Sequence, residues 1–193
     1  MLNDALFYDS YEIIGGEKFM APSAGAYHNN IMGGLYFVIR NYLRQHKNGY
    51  IFTDSLDVHL PDGNLFKPDL FIVKSENADI INWSGAIYGV PDMVVEVLSK
   101  STRKNDLTIK KDIYESNGVK EYWIIDPWAK IVTVYLLRNG KFALDEEYIQ
   151  YTKGEWDNLS DEERAAAKFD IKLSIFDDCI VNINDIFSWG YDI

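Results

Sequence analysis

The run Met93-Val94-Val95-Glu96-Val97-Leu98 is apolar on both alternating faces, except at Glu96. Such a segment reads as a central strand covered on both sides, which constrains the chain to a layered α/β fold. An ionised carboxylate in that setting costs several kcal/mol unless it is paired or binds a metal. A second acid stands at the entrance of another strand-like run, Lys67-Pro68-Asp69-Leu70-Phe71-Ile72-Val73, 27 residues before Glu96. Neighbouring strands lie about 4.8 Å apart, so the two carboxylates could share a divalent ion. Mg²⁺ is commonly held by one or two carboxylates with waters and phosphates. The structural alternative is that Asp69 caps the turn after Pro68 and Glu96 pairs with a buried Arg or Lys.

Periodicity organises the rest of the chain. Tyr11–Met20 carries the Gly15-Gly16 turn of a hairpin, and the turn pair Pro22-Ser23 follows it. Residues 27–46 place Ile31, Leu35, Val38, Ile39 and Leu43 at helical spacing. Strands are predicted at about 50–60, 66–73 and 91–98, with a loop over 74–90. A helix over 106–117 closes at Asn117-Gly118 in the manner of a C-terminal cap. Strands at 121–127, 130–137 and 141–149 follow, the last two joined at Asn139-Gly140. The remainder reads as an acidic helical patch at 160–167, short strands and a closing aromatic segment, all peripheral. The expectation is one domain over 1–193, with a mixed central sheet flanked by helices and an N-terminal β-hairpin.

The predicted helix at 106–117 adds a third charge. At about 100° per residue, Leu107, Ile109, Ile113 and Tyr114 fall on one arc of roughly 160°, with Lys110 inside it and Lys111 beyond its edge. A core-facing lysine needs a carboxylate or a substrate anion, and Glu96 and Asp69 are the obvious partners. Alternatively, Lys110 snorkels along the apolar face to water.

The net charge of −11 argues against a polyanionic partner until its distribution is read. Residues 145–193 hold 13 acids against 4 bases, whereas residues 1–144 hold 17 against 15. Lys100, Arg103, Lys104, Lys110 and Lys111 follow the Glu96 strand. They read either as a basic rim for a phosphate backbone or as a solvated helix face. The single cysteine, Cys179, excludes an internal disulfide and a cysteine zinc cluster. Residues 1–10 carry no secretory pattern, and no apolar run approaches about 18 residues. A cytoplasmic protein with no membrane segment is expected.

Four pieces, in order, resemble the Uma-two family. They are Lys67–Val73, Pro91–Thr102, Asp106-x3-Lys110-x3-Tyr114 and Gly118–Pro127. The likeness is dense over 67–127, extends weakly to Tyr11–Met20 and His28, and leaves the last 45 residues uncovered. It implies the restriction-endonuclease-like PD-(D/E)XK fold and DNA as substrate. It assigns Asp69 and Glu96 as metal-binding acids, Val97 as a carbonyl ligand, and Mg²⁺ or Mn²⁺ as cofactor. The parent pattern places a lysine two residues after the second acid, where this chain has Leu98. The resemblance moves that role to Lys110, which would serve the nucleophile and the transition state. A homodimer is expected by analogy, because nucleases of this fold often cut one strand per subunit.

Secondary candidates are Glu12, which as a hairpin residue reads first as a surface residue, His28, which reads first as a structural hydrogen-bonder, and Tyr114, which reads first as packing. Trp123 and Asp126 read as framework. There is no Gly-rich phosphate loop, HExxH or Gly-x-Ser-x-Gly elbow. The expected function is Mg²⁺-dependent cleavage of DNA phosphodiesters. The alternatives are a non-catalytic interaction protein on the same fold and a different metal-dependent phosphodiesterase.

Overall fold

The computed structural model describes residues 11–20 and 25–187. Three sequence readings lie outside them: the residue 1–10 pattern, the Pro22-Ser23 turn and the aromatic segment after residue 187. The chain opens with the hairpin β1 (Tyr11–Ile14) and β2 (Glu17–Met20), followed by α1 (Ala26–His46). Next come β3 (Gly49–Thr53), β4 (Val58–His59), β5 (Leu65–Phe66) and β6 (Leu70–Lys74). A 3₁₀ turn at Ser75–Ile80 and β7 (Ile87–Tyr88) precede β8 (Met93–Val97). Two short helices, α2 (Arg103–Leu107) and α3 (Ile109–Asn117), lead into β9 (Glu121–Asp126), β10 (Ile131–Arg138) and β11 (Lys141–Ile149). The chain continues through α4 (Lys153–Asn158), α5 (Asp161–Ala166), β12 (Asp170–Lys172), β13 (Ile180–Asn182) and α6 (Ile183–Phe187).

The fold is α/β around a six-stranded mixed sheet of order β11-β10-β9-β8-β6-β3. Only the β8–β9 pair is parallel; the others in this sheet are antiparallel. Strand alternation then sorts β8 between two cores. Met93, Val95 and Val97 join α1 residues such as Ile31, Leu35 and Ile39. Val94 and Leu98 join Tyr114, Tyr122 and the smaller five-stranded sheet β2-β1-β5-β4-β7. β8 is buried along its whole length, as the doubly apolar pattern requires.

Three boundaries differ from the sequence reading. The predicted strand at 50–60 breaks into β3 and β4, because a turn at 54–56 moves the chain from the large sheet to the small one. The loop over 74–90 contains a 3₁₀ turn and β7. The 106–117 helix begins at Arg103 and breaks at Thr108, whose backbone leaves helical space (φ −127°, ψ −94°). α3 ends at Gly118, where φ +87° favours glycine and turns the chain toward β9. The hairpin at Asn139-Gly140 has positive φ at both residues, as a type I′ turn needs.

The end of the chain is not all peripheral. Residues Ile171, Leu173, Phe176, Val181, Ile183 and Ile186 are buried in the same core as α1. Glu121 fastens this segment to the sheet by accepting from Ser174 N–H at 2.7 Å and Ser174 Oγ at 2.6 Å. The acidic patch read at 160–167 is α5, which, like α4 before it, buries no residue.

Asp92, at the entry to β8, accepts from Lys74 N–H (2.8 Å), Asn77 Nδ2 (2.7 Å) and Lys120 Nζ (2.7 Å). Burial opposes its ionised form, but these bonds prevail and hold its carboxyl below the usual range. A depressed acid stabilises the fold above its unfolded pKa of about 3.9 and loses that contribution as pH falls through the folded value. Asp92→Ala should therefore lower stability by about 1–3 kcal/mol at neutral pH, because it strands buried donors. Urea unfolding of both proteins should show that difference shrinking as the pH falls below the unfolded value.

Candidate functional site

β6 and β8 pair with Leu70 opposite Val95, so one further step of the register sets Asp69 opposite Glu96. Both acids therefore stand at the same end of the central sheet. Asp69 Oδ2 accepts from Val97 N–H at 2.6 Å and lies 3.0 Å from His28 Nε2 on α1. Glu96 Oε2 faces Asp69 N–H at 3.5 Å. The next register step sets Pro68 opposite Val97, and proline has no N–H to offer its carbonyl. The N–H and C=O of one strand residue share an edge, so this carbonyl points toward Asp69 without a ladder partner from Pro68.

α3 lies over the opposite end of Glu96. Lys110 Nζ is 2.6 Å from Glu96 Oε1, 3.0 Å from Glu12 Oε1 and 3.5 Å from Asp106 Oδ1. The Tyr114 hydroxyl donates to Glu96 Oε1 at 2.9 Å. Glu12 is not a surface residue: it reaches in from β1 and also accepts from Lys67 N–H at 3.0 Å. All six candidates thus converge: Asp69, Glu96, Lys110, Glu12, His28 and Tyr114. Snorkelling is ruled out for Lys110, whose side chain is 4% exposed. Leu98, in the parent pattern's lysine position, is buried on the Glu96 side of the sheet, and the amine arrives from α3 instead.

Asp106 was missed as a site residue. The helical wheel set Leu107 and Ile109 inward, yet they are 38% and 41% exposed. The buried side of the helix pair is Asp106, Lys110 and Tyr114. That i, i+4, i+8 row stands in the sequence as Asp106-x3-Lys110-x3-Tyr114 within the family resemblance, where Lys110 and Tyr114 are candidates and Asp106 is not.

The electrostatics follow from burial. Glu12, Glu96 and Asp106 surround one lysine, and Asp69 lies against His28, so acid exceeds base around the amine. Burial pushes the Glu96 carboxyl well up, with Lys110 opposing, and burial likewise raises that of Asp106. Burial alone would lower the Lys110 amine, but Glu96, Glu12 and Asp106 overcome it and hold the proton tightly. Burial also works against protonated His28, and Asp69 reverses the sign, raising its pKa.

These groups line a cleft of about 530 Å³, together with Thr102, Lys100 and Trp128. Of the expected basic rim, Arg103 is tied to Asp126 at 2.5 Å and Lys111 lies over Tyr135 at 3.6 Å. Lys100 remains at the cleft. Trp123 is fully buried and Asp126 caps the turn at Trp128, so both are framework.

The donor set can be tested against a divalent ion. Among the described residues, no three His, Cys, Asp or Glu side chains form a ligand cluster. That speaks against a zinc-type cage of side chains. Two carboxylates and a carbonyl suit Mg²⁺ or Mn²⁺, which complete their shells with water and phosphate oxygens. One buried polar atom at the cleft, His28 Nδ1, lacks a hydrogen-bond partner among the described residues, as expected beside a hydrated ligand; Asp106 Oδ1 has the Lys110 ion pair at 3.5 Å.

Comparison with known proteins agrees with this fold. A crystal structure described as "a putative nuclease belonging to DUF820", from Anabaena variabilis, superposes with a TM-score of 0.65 at 18% identity. The match covers 94% of this chain and 91% of that one. No curated protein matches the sequence. No described helix is long and apolar enough to cross a membrane. The family model Uma2, described as "Putative restriction endonuclease", matches residues 8–166, and the chain belongs to that family.

Proposed function

We propose that this protein is a Mg²⁺- or Mn²⁺-dependent nuclease that hydrolyses DNA phosphodiester bonds at the Asp69–Glu96 cleft. The observation that carries this reading is the pair of acids on opposed strands with a buried, charged lysine at one of them. Asp69, Glu96 and the Val97 carbonyl would hold the ion. When bound, such an ion neutralises charge on the phosphate and acidifies a water.

The chain's own groups have distinct roles in this reading. The Tyr114 hydroxyl and Lys110 both engage Glu96 Oε1, which fixes the carboxylate and leaves Oε2 on the Asp69 side. His28 and Val97 N–H hold Asp69 Oδ2, leaving Oδ1 for a ligand. Lys110 keeps a positive charge beside the reacting phosphate, where it can orient water and offset charge that grows in the transition state. Glu12 and Asp106 hold that amine in place.

A single observation favours the non-catalytic alternative: three carboxylates already satisfy Lys110. Calorimetric titration of Mg²⁺ or Mn²⁺, paired with plasmid cleavage, separates the two readings. Wild type should bind the ion and cut, while Asp69→Ala loses both. If wild type neither binds the ion nor cuts, the nuclease reading fails; a loss of stability in Asp69→Ala would then mark the cluster as structural.

A further inference from the structure

Asp69 has a cavity on each side. Beyond the acidic cleft, a second depression of about 640 Å³ shares His28, Asp54 and Asp69 with it, so the two form one groove. The far wall of the second depression carries Trp83, which is 67% exposed. Tyr50 meets the indole edge-on at 5.0 Å, and Phe52 lies tilted against it at 6.4 Å. A third depression of about 570 Å³ continues past Trp83, sharing Tyr36, Ile51 and Phe52 with the second. It is bordered by Arg40, Arg44 and Lys47.

Those cations are placed for an external anion. Arg40 and Arg44 are exposed on one face of α1, about 6 Å apart along the helix axis. Lys47 follows at the αL cap. The described arginines in ion pairs are Arg103, Arg138 and Arg164; neither Arg40 nor Arg44 is among them. Lys47, too, has no carboxylate partner among the described residues. In a chain of net charge −11, three uncompensated cations beside an exposed indole are a local reversal of sign. A lone exposed tryptophan needs no explanation. One propped by two rings, flanked by cations and continuous with an acidic cleft, matches the parts that bind a single nucleic-acid strand.

We infer that this groove is a track for a single-stranded polynucleotide, with a base stacked on Trp83 and phosphates at Arg40, Arg44 and Lys47. The strand would run from there to Asp69 and Glu96, so the inference builds on the nuclease reading of that cleft. A duplex offers phosphates but hides its base faces, so an aromatic wall selects unpaired bases.

The test uses the full chain without added metal and labelled oligomers of about 12 nucleotides, within the usual site sizes. Oligothymidylate, oligouridylate and a blunt DNA duplex are compared by anisotropy and tryptophan quenching; the first two separate DNA from RNA. A single strand should bind more tightly than the duplex. Trp83→Ala should weaken that binding about 5- to 150-fold, the range for one stacked base, and Trp83→Phe should restore most of it. Joint Arg40→Ala and Arg44→Ala should lower the slope of log affinity against log salt by about 0.7 per lost contact. Preference for duplex, no binding at all, or indifference to Trp83→Ala overturns the track. Cleavage with Mn²⁺ keeps the two proposals apart. A protein that binds single strands through Trp83 but never cuts retains the track and loses the nuclease. One that cuts duplex equally well as Trp83→Ala does the reverse.

Discussion

Replacing Lys110 with methionine should lower the stability of the metal-free protein by about 3–5 kcal/mol at neutral pH, the range for breaking a buried ion pair. The amine is the cation at the centre of Glu12, Glu96 and Asp106. Methionine fills its volume but leaves the acids facing one another. Burial already raises the Glu96 and Asp106 carboxyls, and loss of Lys110 must raise them further. An acid whose pKa rises on folding destabilises above its unfolded value and stops doing so below it. The deficit should therefore be greatest at neutral pH and close as acidification protonates the cluster. Thermal melts at a series of pH values measure this directly; a deficit independent of pH would mean lost packing rather than lost charge. Cleavage should fall about 10²- to 10³-fold, as when one transition-state donor is removed, with metal binding retained. Lys111→Met is the control, because that amine lies over Tyr135 outside the cleft. Equal losses in the two variants would refute the assignment.

Glu96→Gln should give the opposite stability signature. Glutamine keeps the shape, and its amide oxygen can still accept from Lys110 and Tyr114. It removes one charge from a cluster that holds too many of one sign, so the metal-free protein should be at least as stable as wild type. Metal affinity should drop about 10- to 100-fold, and cleavage by about 10²-fold or more. Calorimetry, melting and plasmid cleavage on one preparation settle it. Stability kept while activity is lost marks a residue retained for function at a cost to the fold. An unfolded or fully active variant would instead make the ion pair structural.

Asp69 and Glu96 are legible because an acid beside or within an apolar strand run stands out, and Lys110 because the helical wheel sets it inside an apolar arc. The sheet is legible from the runs of β8, apolar but for Glu96, and of β9 over Tyr122–Ile125, and from the Asn139-Gly140 turn that marks the β10–β11 hairpin. The helix was read less well. An apolar arc was assumed to face inward, but α2 and α3 roof a cleft lined with acids. Complementarity to that cleft put Asp106, Lys110 and Tyr114 beneath and left Leu107 and Ile109 outside. Glu12 was ambiguous because its partner lies 98 residues away, and a two-stranded hairpin does not reveal which side another sheet will cover. Arg40 and Arg44 raised no signal, since cations on the outer face of a helix look like solvation until Trp83 is found beside them.

The buried segment Ile171–Phe187 bears on how this molecule can be divided. The family model's match ends at residue 166, yet side chains that help seal the α1 face of the sheet come after it. The border of that match is therefore not a border of the folded unit. A fragment cut where the family match ends would keep every group of the acidic cleft and expose one wall of the scaffold that aligns them.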